Sequence, residues 1–286
     1  MYSKRSGKYQ NAFICVVYVS YIIFEKLFIP MYQPKISVIT VTYNAESYLE
    51  KTFESVFAQT YPHIEYVVID GKSKDKTLEI IKKYESKIHF WLSEPDKGLY
   101  DAMNKAISHA TGEYIIFMNA GDTFYEHTTL EKVFQKPENA DIYYGEAMIL
   151  EAETLKPLGL RSEITPQKTP KNLTWKSLSL GMVVCHQAFI AKKSIVPFYD
   201  LQYKYSADVN WVIECLKNAQ KIINTEIVIA NFSLGGLTTQ KRKTSLWERY
   251  EVLKKHYGFV SNLFNHFLIF LRGIFFILKQ RKKYWD

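Results

Sequence analysis

The sequence predicts an α/β protein: a mostly parallel, Rossmann-like sheet flanked by helices, followed by an amphipathic helical tail. Three observations carry this. Short β-branched runs alternate with segments of helical spacing between residues 35 and 118. Polar, carboxylate-rich stretches follow those runs, where open parallel sheets bind ligands. Residues 241–286 combine basic charge with a long aromatic run.

Each element has a local reason. Lys35 to Thr42 is short and β-branched, which reads as a buried strand. Ala45 to Thr60 carries Leu49, Phe53, Val56 and Phe57 at helical spacing. Ile64 to Ile69 is the second strand. Thr77 to Tyr84 is a helix with Leu78, Ile80 and Ile81 inward, and Ile88 to Leu92 is the third strand. Leu99, Met103, Ala106, Ile107 and Ala110 define the next helix, with Gly112 expected as its C-cap. Glu113 to Met118 is the fourth strand. Short links between alternating elements imply parallel pairing with helices on both faces.

Composition narrows the function classes. The chain has 286 residues, 47% hydrophobic and 23% charged, which excludes a disordered or fibrous protein. Cys15, Cys185 and Cys215 are far apart, against a disulfide framework or a Cys-rich zinc site and in keeping with a reducing compartment. The net charge is +8, but residues 36–239 carry a net of −4 and the excess sits at the two ends. Basic charge beside apolar runs points to a membrane surface. A basic stripe on the body, a zinc-finger motif and an RNP motif are all missing, so no nucleic-acid partner is expected.

Tyr9 to Phe24 is uncharged and follows Lys4, Arg5 and Lys8. It is short for a spanning helix, which needs about 20 apolar residues. A signal anchor, an interfacial segment and an extension ahead of a start at Met31 remain open for residues 1–33. At the other end, Leu263 to Leu278 is strongly apolar. Asn262, Asn265, His266, Arg272, Gly273, Lys279 and Gln280 recur on one narrow helical stripe. With the basic flank after Leu278, this predicts a membrane-associating tail over residues 241–286. Packing on the protein's own core is the competing possibility.

The strand ends carry the chemistry. Thr42-Tyr43-Asn44 follows the first strand, Asp70 to Thr77 the second, Ser93 to Gly98 the third and Asn119 to Asp122 the fourth. Asn44, Ser73 and Asp75 suit helix caps and Gly71 and Gly98 suit turns. Capping leaves Asp70, Asp96 and Asp122 unexplained. Carboxylates along one sheet edge repel unless a cation or hydrogen-bond donors compensate. A nucleotide with a divalent metal would supply both.

From residue 35 to about 220 the chain resembles the family 2 glycosyltransferases, which have a GT-A nucleotide-sugar fold. The stretches that carry the resemblance are ISVITVTYNAESYLEKTFESVFAQTYPHIEYVVIDGKSKDKT, SEPDKGLYDAMNKAISHATGEYIIFMNAGD, CHQAFIAKK and YSADVNWVIECLKN. The capsule and exopolysaccharide (colanic-acid-type) branch is the most similar. The resemblance implies a nucleotide site at Thr42, Tyr43, Asn44, Asp70, Asp96, Asp101, Asn104 and Asn119, with Tyr43 stacking on the base and Asp70 reading it. It implies a Mg²⁺ or Mn²⁺ site at Asp122, with His186 as a weaker metal candidate at the start of the acceptor pocket. The D-x-D motif is thinned here, because Asn119 and Gly121 stand where aspartates are expected. Asp208 matches the catalytic aspartate, although a helix N-cap role also fits its spacing.

The implied reaction is inverting, metal-dependent transfer from a UDP- or GDP-linked sugar to a hydroxyl of a lipid-linked saccharide at the cytoplasmic face of the membrane. Lys97 and Lys105 are candidates to assist the leaving diphosphate, and Gly235 to Lys243 is a candidate closing loop. The expected organisation is a GT-A domain over 34–240, with a nucleotide-sugar half to about residue 125 and an acceptor half beyond it. The alternative is a non-catalytic nucleotide-sugar-fold module that binds a partner at the membrane. Dehydrogenase and P-loop motifs do not follow the first strand.

Overall fold

The computed structural model describes residues 33–135, 139–151, 154–235 and 241–280. Residues 1–32 of the expected anchor or extension, residues 236–240 of the candidate closing loop and the basic end after Gln280 lie outside the described residues.

The first half forms as its patterning dictates. Strand β1 (Ile36–Thr42) is buried along its whole length. Its side chains alternate between two cores: Ile36 and Val38 face one, Ile39 and Val41 the other. It pairs in parallel with β2 (Ile64–Asp70) on one side and β4 (Tyr114–Phe117) on the other, and β3 (Phe90–Ser93) adds in parallel to β2.

Helix α1 (Leu49–Phe57) buries Leu49, Phe53 and Val56. It starts four residues later than its apolar spacing predicts. Asn44 takes a left-handed φ of 49°, and the Tyr48 and Leu49 N–H groups both donate to the Ala45 carbonyl, so a turn precedes the helix. Helix α2 (Thr77–Lys83) buries Ile81 and Thr77, leaving Leu78 and Ile80 half-buried. Helix α3 (Leu99–His109) ends at an extended Ala110. Gly112 is therefore not its C-cap: a Cβ there would lie 2.5 Å from the Ser37 nitrogen, so the residue is small to let the chain cross β1.

Among the described residues, nine strands form one mixed sheet in the order β3-β2-β1-β4-β8 (Phe189–Lys192)-β6 (Ile142–Leu150)-β9 (Ile222–Ser233)-β5 (Thr123–Phe124), with β7 (Pro157–Leu160) paired to β6. The parallel half ends at β4. Strand β8 is antiparallel to β4 and β6, β9 runs parallel to β6, and β5 closes antiparallel on β9. Helix α4 (Thr129–Phe134) covers one face and α5 (Arg161–Ile164) is a single turn. Helix α6 (Ala207–Asn218) buries Trp211, Val212 and Leu216 against the other face.

The chain moves outward from β1 to β3 and then returns to the far side of β1 for β4. The strand order reverses between β1 and β4, and such a switch point opens a crevice at the carboxyl ends of the strands.

Two C-terminal helices follow. Helix α7 (Arg242–Tyr257) packs into the body, with Val252 and Leu253 buried in the same core as α6. Helix α8 (Phe259–Gln280) is long and apolar enough to cross a membrane by length and composition. The stripe expected to be polar is the side that meets the protein. Asn262 is buried and donates to the Tyr250 carbonyl, His266 packs edge-on against Tyr250, and Arg272 donates to the Leu180 carbonyl at 2.8 Å.

Candidate active site

Two unpartnered polar atoms mark the switch point. Thr42 Oγ1, at the end of β1, and Asn119 Oδ1, just beyond β4, are buried without a hydrogen-bond partner. Buried polar atoms are nearly always paired, so two on adjacent strand ends await donors from outside the chain.

Tyr43 extends from the same strand end with 58% of its surface exposed. Beside it, a Cβ placed on Gly71 would sit 2.3 Å from Asp96 Oδ2 and 3.3 Å from Tyr43 Cδ2. Gly71 thus lets the Asp96 carboxylate and the Tyr43 ring approach one another across the bare backbone. This is a flat aromatic platform edged by a carboxylate, suited to a base and the hydroxyls of a ribose. Gly71→Ala should displace Asp96 and weaken nucleoside diphosphate affinity about tenfold with only a small change in Tm, as isothermal titration would show.

Asp70 faces inward. It is fully buried and accepts from the Ser73 N–H at 3.1 Å, from the Ser73 hydroxyl and from the Ser93 hydroxyl at 2.6 Å. These bonds draw the loops after β2 and β3 together. Asn44 fastens the first of those loops to the end of β1: its Oδ1 accepts from the Lys74 N–H and its own N–H donates to Ser73. Asp101 accepts from the Lys97 N–H in the first turn of α3. Asn104 is committed to a neighbouring segment, with both of its amide atoms bonded to the backbone of Tyr199. Lys105 is held by Glu94 at 2.8 Å and by the Pro95 carbonyl, whereas Lys97 is exposed.

Asp122 lies in a clamped loop. The Thr52 hydroxyl donates to the Asp122 carbonyl and accepts from the Gly121 N–H, while the Ser233 hydroxyl holds the Gly121 carbonyl. The Asp122 carboxylate accepts from Gln187 Nε2 at 2.9 Å and from the Ser233 N–H at 3.2 Å. Burial pushes its pKa up to about 7, only partly offset by those two bonds. Sequence reasoning missed Gln187 as its partner. The residue next in the chain, His186, has its Nε2 2.7 Å from the Tyr199 hydroxyl. Burial holds it down to about 4, so the imidazole is neutral at physiological pH.

The thinned motif still offers oxygens that suit a divalent ion: Asn119 Oδ1 is buried without a partner, and each Asp122 carboxylate oxygen accepts one hydrogen bond and keeps a lone pair, whereas His186 is committed to Tyr199. Among the described residues, His, Cys, Asp and Glu form no group of three that could hold a metal ion.

The raised pKa of Asp122 has a measurable consequence. A carboxyl with a higher pKa folded than unfolded stabilises the fold most when protonated, and that contribution is lost as pH rises from about 4 to about 7. Asp122→Asn should therefore be more stable than the parent at pH 8, by up to on the order of 4 kcal/mol, and close to it at pH 4. Thermal denaturation across that range checks this.

Asp208 stands in the first turn of α6, after Ser206 as N-cap, so the N-cap role does not belong to it. It is half-buried, and its Oδ1 accepts from the Tyr100 hydroxyl at 3.1 Å. Tyr100 stacks on Tyr199, which stacks on Trp211 at 5.1 Å, and His186 closes the cluster against Trp211 and Phe117. This aromatic wall fixes one side of the carboxylate and leaves the other open. Tyr100 is four residues beyond Asp96, so a short rigid segment joins the platform to Asp208.

Comparison with known proteins identifies a family and a fold. The family model described as glycosyl transferase family 2 matches residues 37–196 of the 286. A PGL/p-HBAD biosynthesis glycosyltransferase of Mycobacterium bovis is 28% identical over 225 residues, covering 73% of this chain and 80% of the relative. An "uncharacterized glycosyltransferase" of Mycobacterium tuberculosis is 27% identical, covering 88% of this chain and 95% of the relative.

Among solved structures, Staphylococcus aureus TarS (residues 1–349) in complex with UDP aligns with a TM-score of 0.57 at 19% identity, covering 77% of this chain. The mannosyltransferase PcManGT from Pyrobaculum calidifontis, in complex with GDP-Man and Mn²⁺, aligns with a TM-score of 0.51 at 17% identity, covering 78%. The chain spans 64% of each of those two structures, just under two thirds. At such identities the likeness shows the fold, which is GT-A-like. The two sequence relatives are mycobacterial and do not single out a capsule or exopolysaccharide branch.

Proposed function

The chain belongs to glycosyl transferase family 2, and from that premise we propose that it is an inverting enzyme. It would move a sugar from a nucleoside diphosphate to a hydroxyl of a lipid-anchored saccharide in the synthesis of a surface polysaccharide or glycolipid. The observation that carries this is Asp208: a half-open carboxylate, oriented by Tyr100 and tied by a short segment to the Tyr43–Asp96 platform.

In this reading the base lies on Tyr43, the ribose meets Asp96, and Thr42 Oγ1 and Asn119 Oδ1 gain donors. The acceptor hydroxyl gives its proton to Asp208 as its oxygen bonds to the anomeric carbon. The bond from that carbon to the diphosphate breaks on the opposite face, the nucleoside diphosphate leaves with the electron pair, and configuration inverts. Tyr100 keeps one carboxylate oxygen hydrogen-bonded, so the other points to the acceptor. UDP in the TarS structure and GDP-Man in the PcManGT structure favour a UDP- or GDP-linked donor. Asp122 and Asn119 would hold Mg²⁺ or Mn²⁺, which would supply charge stabilisation to the leaving diphosphate.

Helix α8 supports membrane attachment. At 100° per residue its exposed apolar side chains, from Phe259 through Val260, Phe264, Phe267 and Phe270 to Phe275, fall within an arc of about 160°. The opposite arc is fastened to the body through Asn262, His266 and Arg272. A spanning helix would have to leave the body and carry Arg272 into the bilayer, at a cost of a few kcal/mol. A helix lying in the interface buries its apolar arc and keeps these contacts. Lys279 and the basic residues after it suit an anionic leaflet, which supports the cytoplasmic face in this reading.

A thermal-shift panel of UDP, GDP, dTDP and CMP tests the reading. One nucleoside diphosphate at about 100 times its Kd should stabilise the chain by about 2.7 kcal/mol. No shift with any of them would return the chain to the non-catalytic alternative.

A further inference from the structure

Helix α7 brings a cation to the site. Ser245, Arg249, Val252, Leu253 and His256 share one face of this helix, at spacings of three and four residues. At its start the Ser206 hydroxyl donates to the Ser245 carbonyl at 3.0 Å. At its end His256 Nε2 lies 2.9 Å from Asn210 Oδ1, and Val252 and Leu253 are buried between. Arg249 lies midway along this face, between the contacts that Ser245 and His256 make with Ser206 and Asn210, the residues on either side of Asp208 in the first turn of α6. Glu248 fixes the register by accepting the N–H groups of Lys204 and Tyr205 at 3.0 and 2.7 Å.

Arg249 is half-buried, and its Nε is buried with no hydrogen-bond partner. A buried guanidinium N–H without an acceptor is costly, and the cost is recovered when an anion fills the place. Its charge reaches the Tyr100 hydroxyl and opposes the upward shift that burial imposes there. Cationic help is otherwise scarce around the cleft. Lys105 is tied to Glu94, which leaves Lys97 exposed on the loop after β3, no group of three His, Cys, Asp or Glu side chains stands ready for a metal among the described residues, and residues 36–239 are net negative.

We propose that Arg249 binds a phosphoryl group that enters the cleft beside Asp208 between α6 and α7. Its planar fork matches two phosphoryl oxygens, a geometry a lysine does not offer. The assignment rests on the transferase reading and identifies how the site holds phosphate. Two sources carry that chemistry: the donor's diphosphate and a phosphate linking the acceptor to its lipid.

Equilibrium titration of the full chain and of Arg249→Gln and Arg249→Lys separates them. The probes are UDP, GDP, their parent nucleosides, and geranyl diphosphate as a lipid phosphate. A donor role predicts at least a tenfold loss of nucleoside diphosphate affinity in Arg249→Gln, partial recovery in Arg249→Lys, and unchanged nucleoside affinity, which also reports an intact pocket. An acceptor role predicts unchanged nucleotide affinity with at least a tenfold loss for geranyl diphosphate. Unchanged affinity for both phosphate probes overturns the proposal. A parent chain that binds no nucleotide overturns the transferase reading, and the geranyl diphosphate arm then decides Arg249 alone. Binding of neither probe by the parent overturns both.

Discussion

Asp208→Asn should lower kcat roughly 10²–10⁴-fold while leaving nucleoside diphosphate affinity within about twofold. The amide is isosteric, and its oxygen still accepts the Tyr100 hydroxyl bond, so the aromatic cluster of Tyr100, Tyr199, Trp211 and His186 stays packed. Only the capacity to take the acceptor's proton is lost. Release of nucleoside diphosphate from the donor, followed beside titration of the same nucleotide, separates chemistry from binding. Equal loss of both would mean that the carboxylate shapes the pocket, and unchanged turnover would remove it from the chemistry.

The second large effect concerns α8. Phe267 is 57% exposed at the middle of the apolar arc and Phe270 62% exposed toward one edge of it. Burying two such side chains is worth about 3–6 kcal/mol, so replacing both with Glu should reduce vesicle affinity at least a hundredfold. Both positions are exposed and lie at least 140° around the helix from Arg272, so the helix should remain docked on the body and Tm should change little. Flotation with phosphatidylglycerol-containing vesicles measures the loss. Phosphatidylcholine vesicles should bind the parent chain more weakly, because the basic flank then has no anionic partner. Flotation unaffected by the double substitution would put membrane contact elsewhere.

The centre of the parallel half was legible because β1, β2 and β4 are buried on both faces and read as nearly unbroken apolar runs. Strands β1 to β4 begin and end within two residues of where their runs predict. Local backbone chemistry limited the helices. Asn44 and the turn at Ala45 delay α1, and Gly112 serves a close approach to β1 where its position suggested a cap. The second half was not legible in detail. The placing of β6 between β8 and β9 depends on pairings far apart in sequence, for which no local period exists.

The site divides in the same way. The strand-end loops announced themselves by composition, and Tyr43, Asp96 and Gly71 do converge. Polar type alone does not say which way a side chain faces. Asp70 turns inward to Ser73 and Ser93, and Asn104 turns to the backbone of Tyr199. The Tyr100–Asp208 bond spans 108 positions, and the pairing of Asp122 with Gln187 spans 65. Arg249 carried no signal beyond its share of the terminal charge, because its meaning comes from the packing of α7 on α6.

The central claim is that a sugar leaves a nucleoside diphosphate for a lipid-anchored acceptor at Asp208. The measurement that meets it most directly is transfer of radiolabelled sugar from UDP- and GDP-sugars into lipid-extractable material, using a bacterial membrane lipid extract as acceptor. The account predicts label in the lipid fraction with the parent chain, nucleoside diphosphate released in equal amount, and neither with Asp208→Asn. A donor that binds yet stays intact with both proteins would contradict it.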